Sequence, residues 1–433
     1  MKPSRLILLC LISSGAAALG LIGLRSIVTS KPAPVGRLTE APVPSKVDQR
    51  ILQARQLIER TPNQSNGYNQ LAAAYLQKAR ETSDPTFNAS ADEAISKSFA
   101  VEPDNYDALK LLAKLQLTNH HFTDALATAR RALRFRTDDA DVWGQITDGL
   151  VELGDYPGAV GAAQKMADLR PDSPAYARVS YLRSLHGDNY GAIQAMNLAV
   201  KAANPNDPEG VAWFRAQLGN ELMNAGNLAA AERQFDEALR TFADHQLALE
   251  GMARARVAAG DLKSAMLIYE RKQSKKLTAD AAQALGNLYA VLGREDEAKK
   301  EYEKFETLER ENAEVERSWH HLINYWLDHD RNPQEALKAA THEYETRKDI
   351  FTCDSLAWAL FKNGRVEEAT KLMKEALRTG TKDARINYHA GIIYKTLNMR
   401  AKAARHLRLG AALNSSFDPI QTQIAKKILA ELE

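Results

Sequence analysis

The sequence predicts an all-α protein, a right-handed superhelical solenoid of about ten helical hairpins set behind one N-terminal hydrophobic helix. Three observations predict it. Side-chain size recurs at a spacing of thirty-four residues along most of the chain. Glycines recur where the first helix of each pair should stop, and acidic or amide residues directly follow several of them.

Composition supports a folded body. Of 433 residues, 45% are hydrophobic and 26% charged, which excludes both a membrane bundle and a disordered chain. Fifty-seven basic against fifty-five acidic side chains leave a net charge of +2, without the basic excess that neutralising phosphates demands. Nucleic acid is therefore not an expected partner. The two cysteines, Cys10 and Cys353, cannot build a disulfide framework, and a large helical core needs none in any compartment.

The N-terminus sets the expected location. Lys2 and Arg5 precede the uncharged stretch 6–24, which as a helix would span roughly 28 Å, close to a bilayer core. Residues 1–30 therefore read as a signal anchor or a signal peptide, with Ala16 and Ala18 offering a weak cleavage site. The positive head favours a body on the extracytoplasmic, periplasmic side, although Arg25, Lys31 and Arg37 beyond the stretch reduce the charge asymmetry. The protein is thus expected to be membrane-anchored or exported. Residues 31–46 carry four prolines and little to bury, so they read as an extended linker, and the folded body begins near Val47.

Beyond the linker the repeat takes over. Ala91, Ala125 and Ala159 fall in step, as do Pro103, Thr137 and Pro171, while Leu109 aligns with Trp143. The register continues through Gly226, Gly260 and Gly293, through Ala231, Ala265 and Ala298, and through Phe235, Tyr269 and Tyr302, slipping by one residue at the last step. It returns near the end, where Gly364 maps to Asn398 and Ala369 to Ala403. Small residues let two antiparallel helices approach, and large ones fill the remaining gaps. Gly154, Gly187, Gly226, Gly260, Gly293 and Gly364 should end first helices in left-handed geometry, and Asp155, Asp188, Asn227 and Asp261 should restart the chain as caps. A lone helix over 47–60 precedes the array, insertions fall near 81–88 and 204–208, and Ile420 onward reads as an amphipathic helix covering the last hairpin. The expected divisions are 47–203, 204–349 and 350–433.

On these residues the chain resembles the tetratricopeptide repeat family over nearly everything after the linker. Trp143, Ile146, Leu150, Ala159 and Pro171 follow the family pattern in one unit, and its Leu-Gly pair stands at Leu218-Gly219 and Leu285-Gly286. Tyr289, Tyr302 and Phe305 complete the best unit, 279–312, whereas Met166 departs from the pattern where a small residue is usual. The resemblance implies a concave surface lined by first helices, on which proteins or extended peptides bind without chemistry.

No catalytic constellation is evident. His320 and His321 are adjacent on a helix, and no nearby carboxylate or cysteine completes a metal-ligand spacing, so neither a metal nor a cofactor is expected. His342-Glu343 lacks the second histidine of a zincin motif. Cys353 reads as a buried small side chain. Matching first-helix positions give Asn220, Arg254, Asn287 and Asn324, a polar ladder able to hold an extended backbone or simply a solvated face. In family members that clamp a peptide C-terminus such asparagines act beside lysines. Here Lys110 and Lys114 lie in a different unit, followed by Asp148, which should repel a carboxylate.

A second candidate surface is Asp354, Trp358 and Phe361 on one side of a helix, adjacent in the array to Tyr388, with Trp358 equally able to be core. The reading is a non-enzymatic scaffold binding proteins or peptides, tethered through its N-terminal segment. Self-association through exposed faces is open to it as well, and a helical-repeat enzyme acting on envelope polymers is the alternative.

Overall fold

The structure, a computed structural model, describes residues 45–82, 84–275, 277–316, 319–413 and 418–432. The N-terminal segment 1–30, the linker up to residue 44 and Phe417 lie outside the described residues. Among those described there are twenty-two α-helices and no strand. They are α1 (Lys46–Arg60), α2 (Ser65–Thr82), α3 (Thr86–Val101), α4 (Tyr106–Thr118), α5 (Phe122–Leu133), α6 (Ala140–Glu152), α7 (Tyr156–Leu169) and α8 (Ser173–Leu185). Next come α9 (Asn189–Ala202), α10 (Pro208–Asn224), α11 (Leu228–Thr241), α12 (Gln246–Ala258), α13 (Leu262–Lys275), α14 (Ala279–Val291) and α15 (Glu295–Glu316). The chain ends with α16 (His320–Asp328), α17 (Pro333–Thr346), α18 (Ile350–Lys362), α19 (Val366–Ala376), α20 (Ala384–Thr396), α21 (Arg400–Leu413) and α22 (Pro419–Leu432). None of these is long and apolar enough to cross a membrane.

The chain divides into two compact units, one ending at Leu115 and the other beginning at Gln116. In the N-terminal unit, α1 opens on a capping box between Ser45 and Asp48, which satisfies two otherwise unpaired backbone donors. Helices α1, α2 and α3 pack in series over Ala72, Ala91, Ala94, Ile95 and Leu115, where small residues permit close approach. Buried Asn69 accepts from the Ser98 hydroxyl at 2.7 Å and donates to Asn105 at 2.8 Å, so its amide is satisfied inside the core.

In the C-terminal unit each helix packs on the next in sequence. Along one side, α6 touches α8, α8 touches α10, α10 touches α12, and α18 touches both α16 and α20. This is a helical solenoid. The predicted glycines all hold positive φ, from +72° to +80° at Gly154, Gly187, Gly226, Gly260, Gly293 and Gly364, and Asn398 takes the same conformation at +56°. Asp155, Asp188, Asn227 and Asp261 then accept from the backbone N–H three residues on, at 2.9, 2.9, 3.3 and 3.1 Å.

The Leu-Gly pairs have a direct packing cause. The fully buried Phe235 ring of α11 is wedged between α10 and α12, and a Cβ at Gly219 or Gly251 would collide with it. Gly286 stands in the same relation to Tyr302, whose ring would lie 2.5 Å from an added Cβ. A glycine in the first helix thus leaves room for an aromatic ring from the second.

Serial packing is not the whole of this unit, because the array curls until distant hairpins meet. The Lys348 N–H donates to the Glu152 carbonyl at 2.8 Å, and the Ile350 N–H donates to the Tyr156 hydroxyl at 2.9 Å. Arg347 inserts there, with Nε 2.5 Å from Glu152 and 2.8 Å from Asp349, both carboxylates buried, and with Glu343 at 3.8 Å. Arg378 lies over the Tyr156 ring at 5.0 Å and donates to the Lys348 carbonyl at 2.7 Å. One superhelical turn therefore closes between the α6–α8 region and the α17–α20 region. At the far end α22 packs on α21, as expected, and also reaches α14.

Candidate functional site

Closure of the turn encloses a polar cavity of about 510 Å³ in the C-terminal unit. First helices α8, α10, α12 and α14 form one wall, and residues 381–385 with Asp418 and Pro419 form the other. The concave face is thus partly covered by the protein's own C-terminal segment. Its charged lining comprises Glu221, Glu250, Asp280, Asp383 and Asp418 against Arg254, Lys382 and Arg385, five acids to three bases.

The polar ladder divides between the cavity wall and the core. Asn220, Arg254 and Asn287 all line the cavity. Asn220 donates weakly to Gln217 at 3.4 Å, and its carbonyl oxygen is buried with no hydrogen-bond partner. Asn287 is 8% exposed, accepts from the Tyr302 hydroxyl at 2.8 Å and donates to Asp418 at 3.1 Å, so its amide helps to hold the C-terminal segment in place. Asn324 does not line the cavity. It is buried against α18, where it accepts from the Ser355 hydroxyl at 3.1 Å and pairs with His320.

The second predicted surface is corrected by burial. Asp354, Trp358 and Tyr388 are 2%, 3% and 4% exposed, so they form core and present no anchor to solvent. They surround the fully buried His389, whose Nδ1 lies 2.9 Å from Asp354 and whose ring stacks on Trp358 with centroids 4.2 Å apart. Trp358 Nε1 donates to Asp328 at 3.1 Å. Half-buried Phe361 stacks on the outer side of Trp358. The spacing i, i+4, i+7 located one helical face correctly but could not say which face was inside. Asp148 is also corrected: it is buried and held by Arg178, with Nε at 2.8 Å, and so presents no free charge.

Sequence reasoning missed Glu221, Asp383, Arg385 and Asp418. Glu221 follows Asn220 in α10 and is buried with the Ser184 hydroxyl donating at 2.9 Å. Burial pushes its carboxyl up to about 7, against that hydrogen bond, and burial raises Asp383 and Asp418 as well. Arg385 reaches out of the lining to Asp328 at 2.9 Å. Cys353 is buried in α18, as expected, and burial raises its thiol to about 11, far from thiolate character. The cavity lining itself offers amides, carboxylates and cations, with no histidine or cysteine among the described residues.

His321 diverges from expectation. Carboxylates that no local spacing revealed arrive from α14 and α15: Asp280 and Glu309 lie 3.9 and 3.7 Å from its Nδ1. His320, next to it, instead turns inward to Ser355 and Asn324.

Family models of the tetratricopeptide repeat match residues 217–276, 279–312 and 352–382. The middle match has the bounds read from the sequence. No curated protein sequence matches the chain. Among solved structures, the human IFIT1 dimer with m7Gppp-AAAA is similar at 13% identity, covering 76% of each chain with a TM-score of 0.51. PilW, a type IV pilus biogenesis factor, is 16% identical over 47% of this chain and 92% of its own, with a TM-score of 0.41. A thermophilic tetratricopeptide protein of Thermus thermophilus is 18% identical over 47% of this chain and 99% of its own, with a TM-score of 0.38. At 13% identity the likeness to IFIT1 is one of fold. Over the stretches that the family models match, the chain carries the tetratricopeptide repeat to which the periodic alanines, glycines and aromatics pointed.

Proposed function

We propose that this protein is a non-enzymatic scaffold that holds an extended peptide segment of a partner protein in the cavity of its C-terminal unit. The observation that carries this reading is Asn220, whose carbonyl oxygen is buried at the cavity wall without a partner, beside Gln217, Asn224 and Arg254. A buried acceptor left unpaired costs about 1–3 kcal/mol, and a peptide N–H is a donor that would restore it. Amides on successive first helices present donors and acceptors to a backbone without reading its side chains.

The excess of carboxylates in the lining favours segments bearing lysine or arginine and disfavours phosphate. IFIT1's m7Gppp-AAAA therefore does not carry over as a ligand class. A fluorescence-polarisation panel of unstructured basic, neutral and acidic peptides, with single-stranded RNA alongside, tests the reading. Basic peptides are expected to bind, and Asn220→Ala should weaken them several-fold. Tight RNA binding with no peptide binding would overturn it.

The same reading places the body outside the cytoplasm, tethered by the hydrophobic stretch 6–24. Tethering raises the effective concentration of the cavity toward membrane-associated clients. Full-length protein should stay with membranes through alkaline extraction, and removal of residues 1–30 should release it. Full-length protein found only in the soluble fraction would end the anchor proposal.

A further inference from the structure

We propose that Asp280, Glu309 and His321 form a binding site for one divalent transition-metal ion of the zinc class. The three residues come from three successive helices, α14, α15 and α16, and their ligand atoms all lie within 4.8 Å of one another. Nδ1 of His321 is 3.7 Å from Glu309 Oε2 and 3.9 Å from Asp280 Oδ1. Ligands about 2.0–2.2 Å from a tetrahedral zinc ion stand roughly 3.4 Å apart, so the two His321 separations need a contraction of a few tenths of an ångström and the widest separation in the set about 1 Å or somewhat more.

The side chains are placed to supply that contraction. Asp280 and His321 are 53% and 58% exposed, which leaves their side chains room to turn inward, whereas Glu309 is 9% exposed. Glu309 is also the second indication of a ligand. Among the described residues its only ion-pair partner is the His321 imidazole, so a nearly buried carboxylate faces a group that is neutral in its ordinary state. The mixed imidazole and carboxylate set suits zinc, cobalt or manganese better than magnesium.

Three protein ligands leave one position open in a tetrahedral shell. Asp280 also lines the cavity, so the proposed site borders the binding surface. The ion would tie α14, α15 and α16 together across two hairpins and add a Lewis-acidic contact for a ligand in the cavity. The site does not depend on the peptide reading and can fail or hold independently of it.

Full-length protein prepared without a histidine tag and stripped with chelator is titrated with zinc by calorimetry and with cobalt by visible absorption. One ion per chain is expected, with micromolar or tighter affinity and the d–d bands of a low-symmetry cobalt site. His321→Ala and Asp280→Asn, both at exposed positions, should each weaken binding roughly ten-fold or more, and Glu309→Gln should do the same. His342→Ala, which removes another exposed imidazole, should leave it unchanged. Absence of saturable binding, or binding that survives His321→Ala or is lost in His342→Ala, would overturn the site.

Discussion

Gly154 and Gly187 share a conformation with Gly260, Gly293 and Gly364, yet they stand in different surroundings. All five take φ between +72° and +80° at the end of a first helix. At Gly260, Gly293 and Gly364 an added Cβ would meet nothing within 4 Å. At Gly154 it would lie 2.5 Å from the Lys348 carbonyl, and at Gly187 2.5 Å from the Gly380 carbonyl. The same turn therefore does one job in the open part of the array and two jobs where the superhelix closes. The repeat dictates the glycine's backbone, and the distant contact adds a steric demand that no local pattern encodes.

The largest expected effect lies at the clasp. Arg347→Met removes the cation shared by buried Glu152 and Asp349 and by Glu343, and should cost about 3–5 kcal/mol in urea unfolding. An effect no larger than that of an exposed arginine, such as Arg240, would mean that the turn is open in solution.

Gly187→Ala comes next. It combines the left-handed penalty with backbone collision and should cost about 3 kcal/mol, whereas Gly260→Ala should cost about 1 kcal/mol, the conformational part alone. Equal losses in the two variants would contradict the closure, and a wider gap would sharpen it.

A pH titration probes the clasp more gently. Three carboxylates face one guanidinium there, and burial, reinforced by the Asp349 charge and opposed by Arg347, pushes Glu152 from 4.5 up to about 8. A carboxyl whose folded pKa is raised contributes no penalty below its unfolded value and an increasing one as pH rises to the folded value. Hydrogen-exchange protection of the Lys348 and Ile350 amides should therefore fall between pH 4.5 and about 8, by at least about ten-fold relative to the amides closing the Gly260 turn. Glu152→Gln should flatten that dependence. A slope unchanged in the variant would assign it to another group.

The smallest effect sharpens the view of the open face. Asn220→Ala exchanges an unpaired buried carbonyl for a methyl group and should leave stability within about 1 kcal/mol of the original while weakening peptide binding. A large destabilisation would make Asn220 a structural residue and remove it from the ladder.

Much of the fold was legible because the signals are local. The Ala91, Ala125 and Ala159 spacing, the glycine stops and the caps at Asp155 and Asp188 each depend on residues within a turn or two of one another. Unit 279–312 was readable to its ends because Leu285, Gly286, Tyr289, Tyr302 and Phe305 all act inside one hairpin. The site was legible only in part. Register placed Asn220, Arg254 and Asn287 on the concave side, but it gave no sign that Asp418 would reach Asn287 or that Glu221 would be buried beside them. Trp358 shows the same limit: its helical face was visible, while its contact with His389, from the next hairpin, was not.

The sequence by itself determined the repeating hairpin, the glycine stops and caps of several helices, and which small residues let helices meet, because these follow from backbone conformation and side-chain volume over short stretches. The tertiary structure alone decided that hairpins far apart in sequence touch, that a cavity forms between them, and that His321 meets Asp280 and Glu309. The reason is geometric. Each hairpin is rotated slightly on its predecessor, and only the sum of those small rotations fixes which distant side chains arrive at the same place.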